Sequence, residues 1–103
     1  MNKHKRLELR GILIDILGSD NVYFQPPSTV KMKYPCIVYN RSNIDVRYAN
    51  NMVYNHQYNY TITVIDPDPD SSIPDKIFRL PMSRFDRHYT VDNLNHDVFN
   101  VYY

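Results

Sequence analysis

Apolar residues recur at Leu9, Ile12, Leu13, Ile16 and Leu17, the i, i+3, i+4, i+7, i+8 spacing of one helical face, while Lys5, Arg6, Glu8, Arg10 and Asp15 take the other side. The pattern predicts an amphipathic helix over about Lys3–Leu17, with Gly18 placed to close it in a left-handed cap before the turn-forming Ser19-Asp20-Asn21. Beyond that point the period falls to two. Val22-Tyr23-Phe24 reads as a short strand stopped by Pro26-Pro27, residues 28–34 as a polar connection, and Cys36-Ile37-Val38-Tyr39 as a buried strand. From Asn40 to His56, Ile44, Val46 and Tyr48 alternate on one side of Ala49-Asn50-Asn51 and Val53 follows on the other, the signature of a long hairpin or an extended arm. Alternation is cleanest at Tyr58, Tyr60, Ile62 and Val64 against Asn59, Thr61 and Thr63, a half-buried strand. Two prolines end it at Asp66-Pro67-Asp68-Pro69-Asp70.

Ser72 is placed to cap a second helix, with Asp75 three residues on as the short partner of a capping box. Ile73, Ile77 and Leu80 share its face, and Pro81 ends it. Arg84–Val91 and Val98–Tyr103 read as strands, separated by the turn-rich Asp92–Asp97. In Arg84–Tyr89 simple alternation puts Arg84, Asp86 and His88 on one face and Phe85, Arg87 and Tyr89 on the other. The order is helix, strands, short helix, strands. Short links favour antiparallel neighbours, so the expected fold class is α+β: a twisted, mainly antiparallel sheet with both helices packed on one face. Length allows one domain, 1–103.

Composition narrows the function more than the fold. Twelve Lys and Arg against eleven Asp and Glu leave a net charge of +1, without the basic surplus typical of duplex-DNA proteins. The only cysteine is Cys36, so neither an internal disulfide nor a thiolate cluster is open to the chain. Two glycines and no phosphate-cradling motif exclude the familiar nucleotide loops. No run approaches the roughly 20 apolar residues of a membrane helix. Met1-Asn2-Lys3-His4-Lys5-Arg6 resembles a signal-peptide n-region, but Asp15 interrupts the apolar stretch behind it, and the segment reads as the first turn of a mature helix in a cytoplasmic protein. Eleven asparagines and ten tyrosines remain, more tyrosines than one small core can bury with every hydroxyl paired.

Candidate chemistry is thin. Asp66, Asp68 and Asp70 alternate like a cation loop yet lack its glycine and closing glutamate, and read as a stiff solvated turn. His4, His56, His88 and His96 have no metal-ligand spacing, and Cys36 sits in a strand as a small hydrophobe. Asp86, His88, Asp92 and His96 cluster in sequence without a nucleophile motif, so no catalytic residue, metal or cofactor is expected. Arg41, Arg47, Tyr48, Tyr54, Tyr58 and Tyr60 mix cations with aromatics as single-stranded nucleic-acid binders do, but the same residue types are enriched at protein interfaces. Protein contact is the favoured reading. A single-stranded nucleic-acid module stays open as the alternative from another class.

Three stretches carry a resemblance: Tyr34-Pro35-Cys36-Ile37-Val38-Tyr39-Asn40-Arg41, Thr61-Ile62-Thr63-Val64-Ile65-Asp66-Pro67-Asp68-Pro69-Asp70-Ser71, and Phe85-Asp86-Arg87-His88-Tyr89 with Asp92-Asn93-Leu94-Asn95-His96. Together they resemble the small tail-terminator (tail-completion) proteins of long-tailed phages and prophages of Gram-positive bacteria, over roughly residues 34–103. The resemblance implies a compact α+β subunit in a homo-oligomeric ring, typically hexameric. Such a ring sits at the head–tail joint of the virion after assembly in the host cytoplasm. It caps the major tail tube protein and presents a surface to the head-completion or connector protein, without membrane, cofactor or specific nucleic acid. Another neck component, such as a head-completion stopper, is the nearest alternative. A closed ring needs two complementary patches on each subunit. The candidates are Arg41, Arg47, Tyr48, Asn50, Asn51 and Tyr54 of the arm, and Asp66, Asp68, Asp70, Arg84 and Arg87.

Overall fold

The computed structural model describes residues 5–49 and 52–103, with side chains described outside 43–57. Helix α1 (Lys5–Leu17) is followed by strands β1 (Val22–Phe24), β2 (Cys36–Ala49) and β3 (Met52–Asp66), a short helix α2 (Ile73–Phe78), and strands β4 (Ser83–Val91) and β5 (Leu94–Tyr102). The strands form one sheet in the order β1-β2-β3-β5-β4, antiparallel throughout except for β1 against β2. That exception has a cause in the chain: residues 25–35 are long enough to carry β2 back to the start of β1, as a parallel pair requires. The fold is α+β, as the hydrophobic pattern predicts.

One face of the sheet makes the core. Ile37 and Tyr39 of β2, Tyr60, Ile62 and Val64 of β3, and Phe99 and Val101 of β5 are buried there with Leu9 and Leu13 of α1 and Ile73 and Ile77 of α2. Each large aliphatic side chain so buried contributes about 1.5–3 kcal/mol, which is how a thirteen-residue helix holds its place. Ile16 and Leu17 pack against this core as the helical stripe predicts; Ile14 joins them from outside the stripe. Gly18 closes α1 with φ +81°, its N–H donating to the Ile14 carbonyl at 2.8 Å.

Three local expectations are corrected. The Ser72 side chain makes no capping bond; Ser71 does the work, its Oγ accepting from the Ile73 N–H at 3.2 Å, because Ser72 itself lies in the right-handed helical region. The last turn is two residues, Asp92-Asn93, both at positive φ (54° and 62°), with Val91 opposite Leu94. This is the type I′ geometry that matches strand twist, so Leu94–Asp97 are strand and not turn. Finally, β4 does not alternate simply. A register shift between Phe85 and Arg87 makes Asp86 a bulge: Phe85 faces Phe99 and the helices, whereas Arg87 pairs with Val98 and joins Arg84 on the open face.

Candidate interaction surface

Strands β2 and β3 outrun the sheet. β5 ends opposite Asn59, at Tyr102, and β1 ends opposite Tyr39, yet β2 and β3 go on pairing to Ala49 and Met52. The result is a two-stranded arm reaching about 20 Å past the sheet at ~3.3 Å per residue. It accounts for extents of 51 × 25 × 23 Å and a radius of gyration of 14.8 Å, against about 13 Å for a compact chain of this length. The predicted hairpin is therefore present. Its tip, Asn50 and Asn51, lies outside the described residues, and Arg47, Tyr48 and Tyr54 are placed by backbone register only.

The base of the arm is built in detail. A register shift between Arg41 and Asn43 leaves Ser42 as a bulge, its hydroxyl near both the backbone carbonyl and the side-chain oxygen of Asn59 (3.1 and 3.2 Å). Arg41 donates its backbone N–H to Gln25 Oε1 at 3.2 Å and lays its guanidinium 5.4 Å from the Tyr58 ring centre. The last residue, Tyr103, donates its N–H to the Tyr58 carbonyl and its hydroxyl to Glu8, and Lys5 Nζ donates to the Tyr103 carbonyl. Burial raises the Tyr103 hydroxyl pKa, with the Glu8 carboxylate adding to it. Aromatic rings line up behind this point: Phe24 and Tyr39 lie 4.9 Å apart, Tyr39 and Tyr60 6.2 Å, Tyr60 and Tyr58 6.4 Å. Burial raises the Tyr60 pKa as well. The Tyr39 hydroxyl is fully enclosed and has no hydrogen-bond partner among the described residues.

The other predicted residues do not form one patch. Asp66 is buried, and its carboxylate accepts from the Asp68 N–H at 2.8 Å; the Asp68 carboxylate accepts from the Asp70 N–H at 2.9 Å. Asn95 holds the same loop through the Asp66 and Pro67 carbonyls. Two of the three carboxylates thus shape the turn, which sits at the sheet end opposite the arm. Arg84, opposite Asn100, is five residues along β5 from Asn95, roughly 17 Å away. Arg84 and Arg87 instead share the open face. Arg87 lies 3.8 Å from Asp86 with both side chains well exposed, a pair of little energetic weight.

The chemical candidates do not converge. Cys36 is fully buried, and desolvation aided by the Asp66 charge pushes its thiol pKa up to about 11, away from the thiolate a nucleophile needs. His88 Nδ1 lies 2.7 Å from Asp97 Oδ1 on the helix side of the sheet, whereas Cys36 points to the other side. His96 stacks on Tyr89 at 4.6 Å on that open face. Among the described residues no three His, Cys, Asp or Glu side chains gather as metal ligands would, and no helix is long and apolar enough to cross a membrane.

Sequence reasoning missed one feature. At the arm end of the sheet, a groove of about 150 Å³ runs between α1 and the α2–β4 connection, lined by Leu9, Ile12, Leu80, Pro81, Met82, Val101 and the two terminal tyrosines. Met82 (58 % exposed), Phe78 (52 %) and Phe85 (46 %) extend its apolar character toward β4. Its legible residues were Leu9, Ile12 and Leu80, read from helical spacing as core-facing. No protein-family model matches the chain, and no curated protein sequence matches it.

Proposed function

We propose that this protein is a phage structural subunit that assembles as a ring at the head–tail joint, caps the tail tube, and meets the connector on its other side. The observation that carries the reading is the arm: a hairpin with no third strand among the described residues, on a small body of near-zero net charge. A two-stranded ribbon in water is marginal by itself, and three strands or a packed layer are needed for independent stability. Contact with another molecule supplies that layer. The resemblance of residues 34–103 to tail terminators gives the partners: further copies, the tube protein and the connector.

Reversing charge at Arg47 and Arg87 and weighing assembled particles by native mass spectrometry tests this role. Loss of ring and tube-bound species with the fold intact is the expected result; unchanged assembly rejects those residues as contacts. A chain that binds neither itself nor tail tubes rejects the reading.

One observation favours a second reading. Arg84, Arg87, Tyr89 and His96 share the open face, with Arg87 5.8 Å from the Tyr89 ring and Tyr89 stacked on His96, an arrangement suited to unpaired bases. Tight, salt-sensitive retention of single-stranded DNA in a gel shift would turn the assignment toward it.

A further inference from the structure

Among the described residues, two of the strand edges that lack a neighbouring strand differ in kind. The first belongs to the arm. β3 pairs with β2 along its whole length, but its other edge loses β5 beyond Asn59, so from Met52 to Gln57 that edge carries backbone N–H and carbonyl groups with no strand beside them among the described residues. The sequence there, Met-Val-Tyr-Asn-His-Gln, holds no Lys, Arg, Asp or Glu. The second is the outer edge of β4, nine residues long, exposed from Arg84 to Val91 and bordered on the helix side by Phe78, Met82 and Phe85.

We infer that the arm strand of one copy adds to the β4 edge of the next, head to tail. This deepens the ring reading and rests on it. Three observations select a second copy of this chain as the occupant. Each free edge needs what the other offers, outward backbone donors and acceptors, interrupted once in each by a register shift (at Tyr54 in the arm and at Asp86 in β4), and the six-residue arm edge fits within the nine residues of β4. The arm edge brings no ionic charge to be desolvated beside Arg84, Asp86, Arg87 and His88, whereas the β2 edge of the arm carries Asp45 and Arg47. Within one molecule the pairing is closed off, because β5 stands between β3 and β4 in the sheet. Arm on edge is a heterologous contact: two different surfaces meet, so it propagates from copy to copy and closes into a ring when the rotation allows. The bulge at Asp86 and the flanking charges are the features that keep an open edge from pairing with strands at random.

Cysteine cross-linking in the full-length chain tests the contact, with Cys36 left in place as a buried, unreactive background. Tyr54→Cys is mixed under oxidising conditions with single variants Arg84→Cys, Asp86→Cys, His88→Cys and Thr90→Cys, and self-association of each is followed in parallel by mass photometry. The expected result is cross-linking between arm and β4, several-fold above that of either variant alone and strongest at one β4 position. Oligomers that form without arm-to-β4 cross-links, or in which Tyr54→Cys links chiefly to itself, overturn the inference and leave the ring reading standing. Chains that stay monomeric alone and with tail tubes overturn both.

Discussion

Strand β2 lives in two environments along one continuous ladder. At Cys36–Tyr39 it has β1 on one side, β3 on the other and a helical layer over one face, and three of its four residues there are buried. Past Ser42, among the described residues, the same strand has only β3 beside it. Yet the alternation of apolar and polar residues does not stop at the boundary: Ile44, Val46 and Tyr48 continue it to the tip. Alternation records that one side of a strand is to be covered; it does not record by what. Where no third strand stands beside the ribbon among the described residues, the pattern points to cover from outside.

The sharpest test of this contrast compares one substitution in each region. Phe99 is fully buried and packs edge-on against Phe78 (5.1 Å) and Phe85 (5.5 Å). Phe99→Ala should cost about 3–5 kcal/mol in chemical denaturation, through lost burial and the cavity left behind. Arg47→Glu in the arm should change the same free energy by no more than about 0.5 kcal/mol while weakening assembly. A large stability loss from Arg47→Glu would mean that the arm is held by its own body, and the division into two regions would fall.

What was legible in the sequence follows the same line. The helix at Leu9–Leu17 and the strand at Tyr58–Val64 were plain because a single core face imposes its period on the residues that meet it. The bulge at Asp86 was not, since it inserts one residue without glycine or proline to mark it, and Phe85 stays in phase with Tyr89 and Val91 although it faces the other way. Leu94–Asp97 read as turn because Asn95, His96 and Asp97 are polar; their strand conformation comes from partners across the ladder at Thr90, Tyr89 and His88, which composition does not reveal. The arm was legible as a hairpin. The separation of the acidic loop from Arg84 and Arg87 was not, because it depends on where each strand ends relative to its neighbours.

A second test uses pH and reads the body alone. Burial raises the Cys36 pKa to about 11 from an ordinary value of 9.0, and the Tyr60 pKa moves in the same direction. The folded chain therefore keeps protons that the unfolded chain gives up first. The stability these groups carry is complete below pH 9 and is lost as pH rises toward 11, by about 3 kcal/mol for Cys36. Cys36→Ala should flatten the alkaline limb of stability against pH without abolishing it, since Tyr60 remains. Rapid modification of the Cys36 thiol by an aromatic disulfide under native conditions would contradict its enclosure.

The smallest effect lies where the two regions meet. Tyr39 sits between Phe24 and Tyr60 in the row of rings that leads through Tyr58 to the arm, and its enclosed hydroxyl has no partner among the described residues. Burying a hydroxyl without a hydrogen bond costs about 1–3 kcal/mol, and removing it keeps the ring while lifting that penalty. Tyr39→Phe should accordingly stabilise the chain by about 1 kcal/mol, seen as a rise of roughly 4–8 °C in thermal midpoint for a domain of this size. Its effect on self-association decides how separate the regions are. If the arm takes its order from a neighbouring copy, a better-packed body leaves association where it was. If association strengthens along with the midpoint, the aromatic row transmits order from core to arm, and the two environments of β2 act as one.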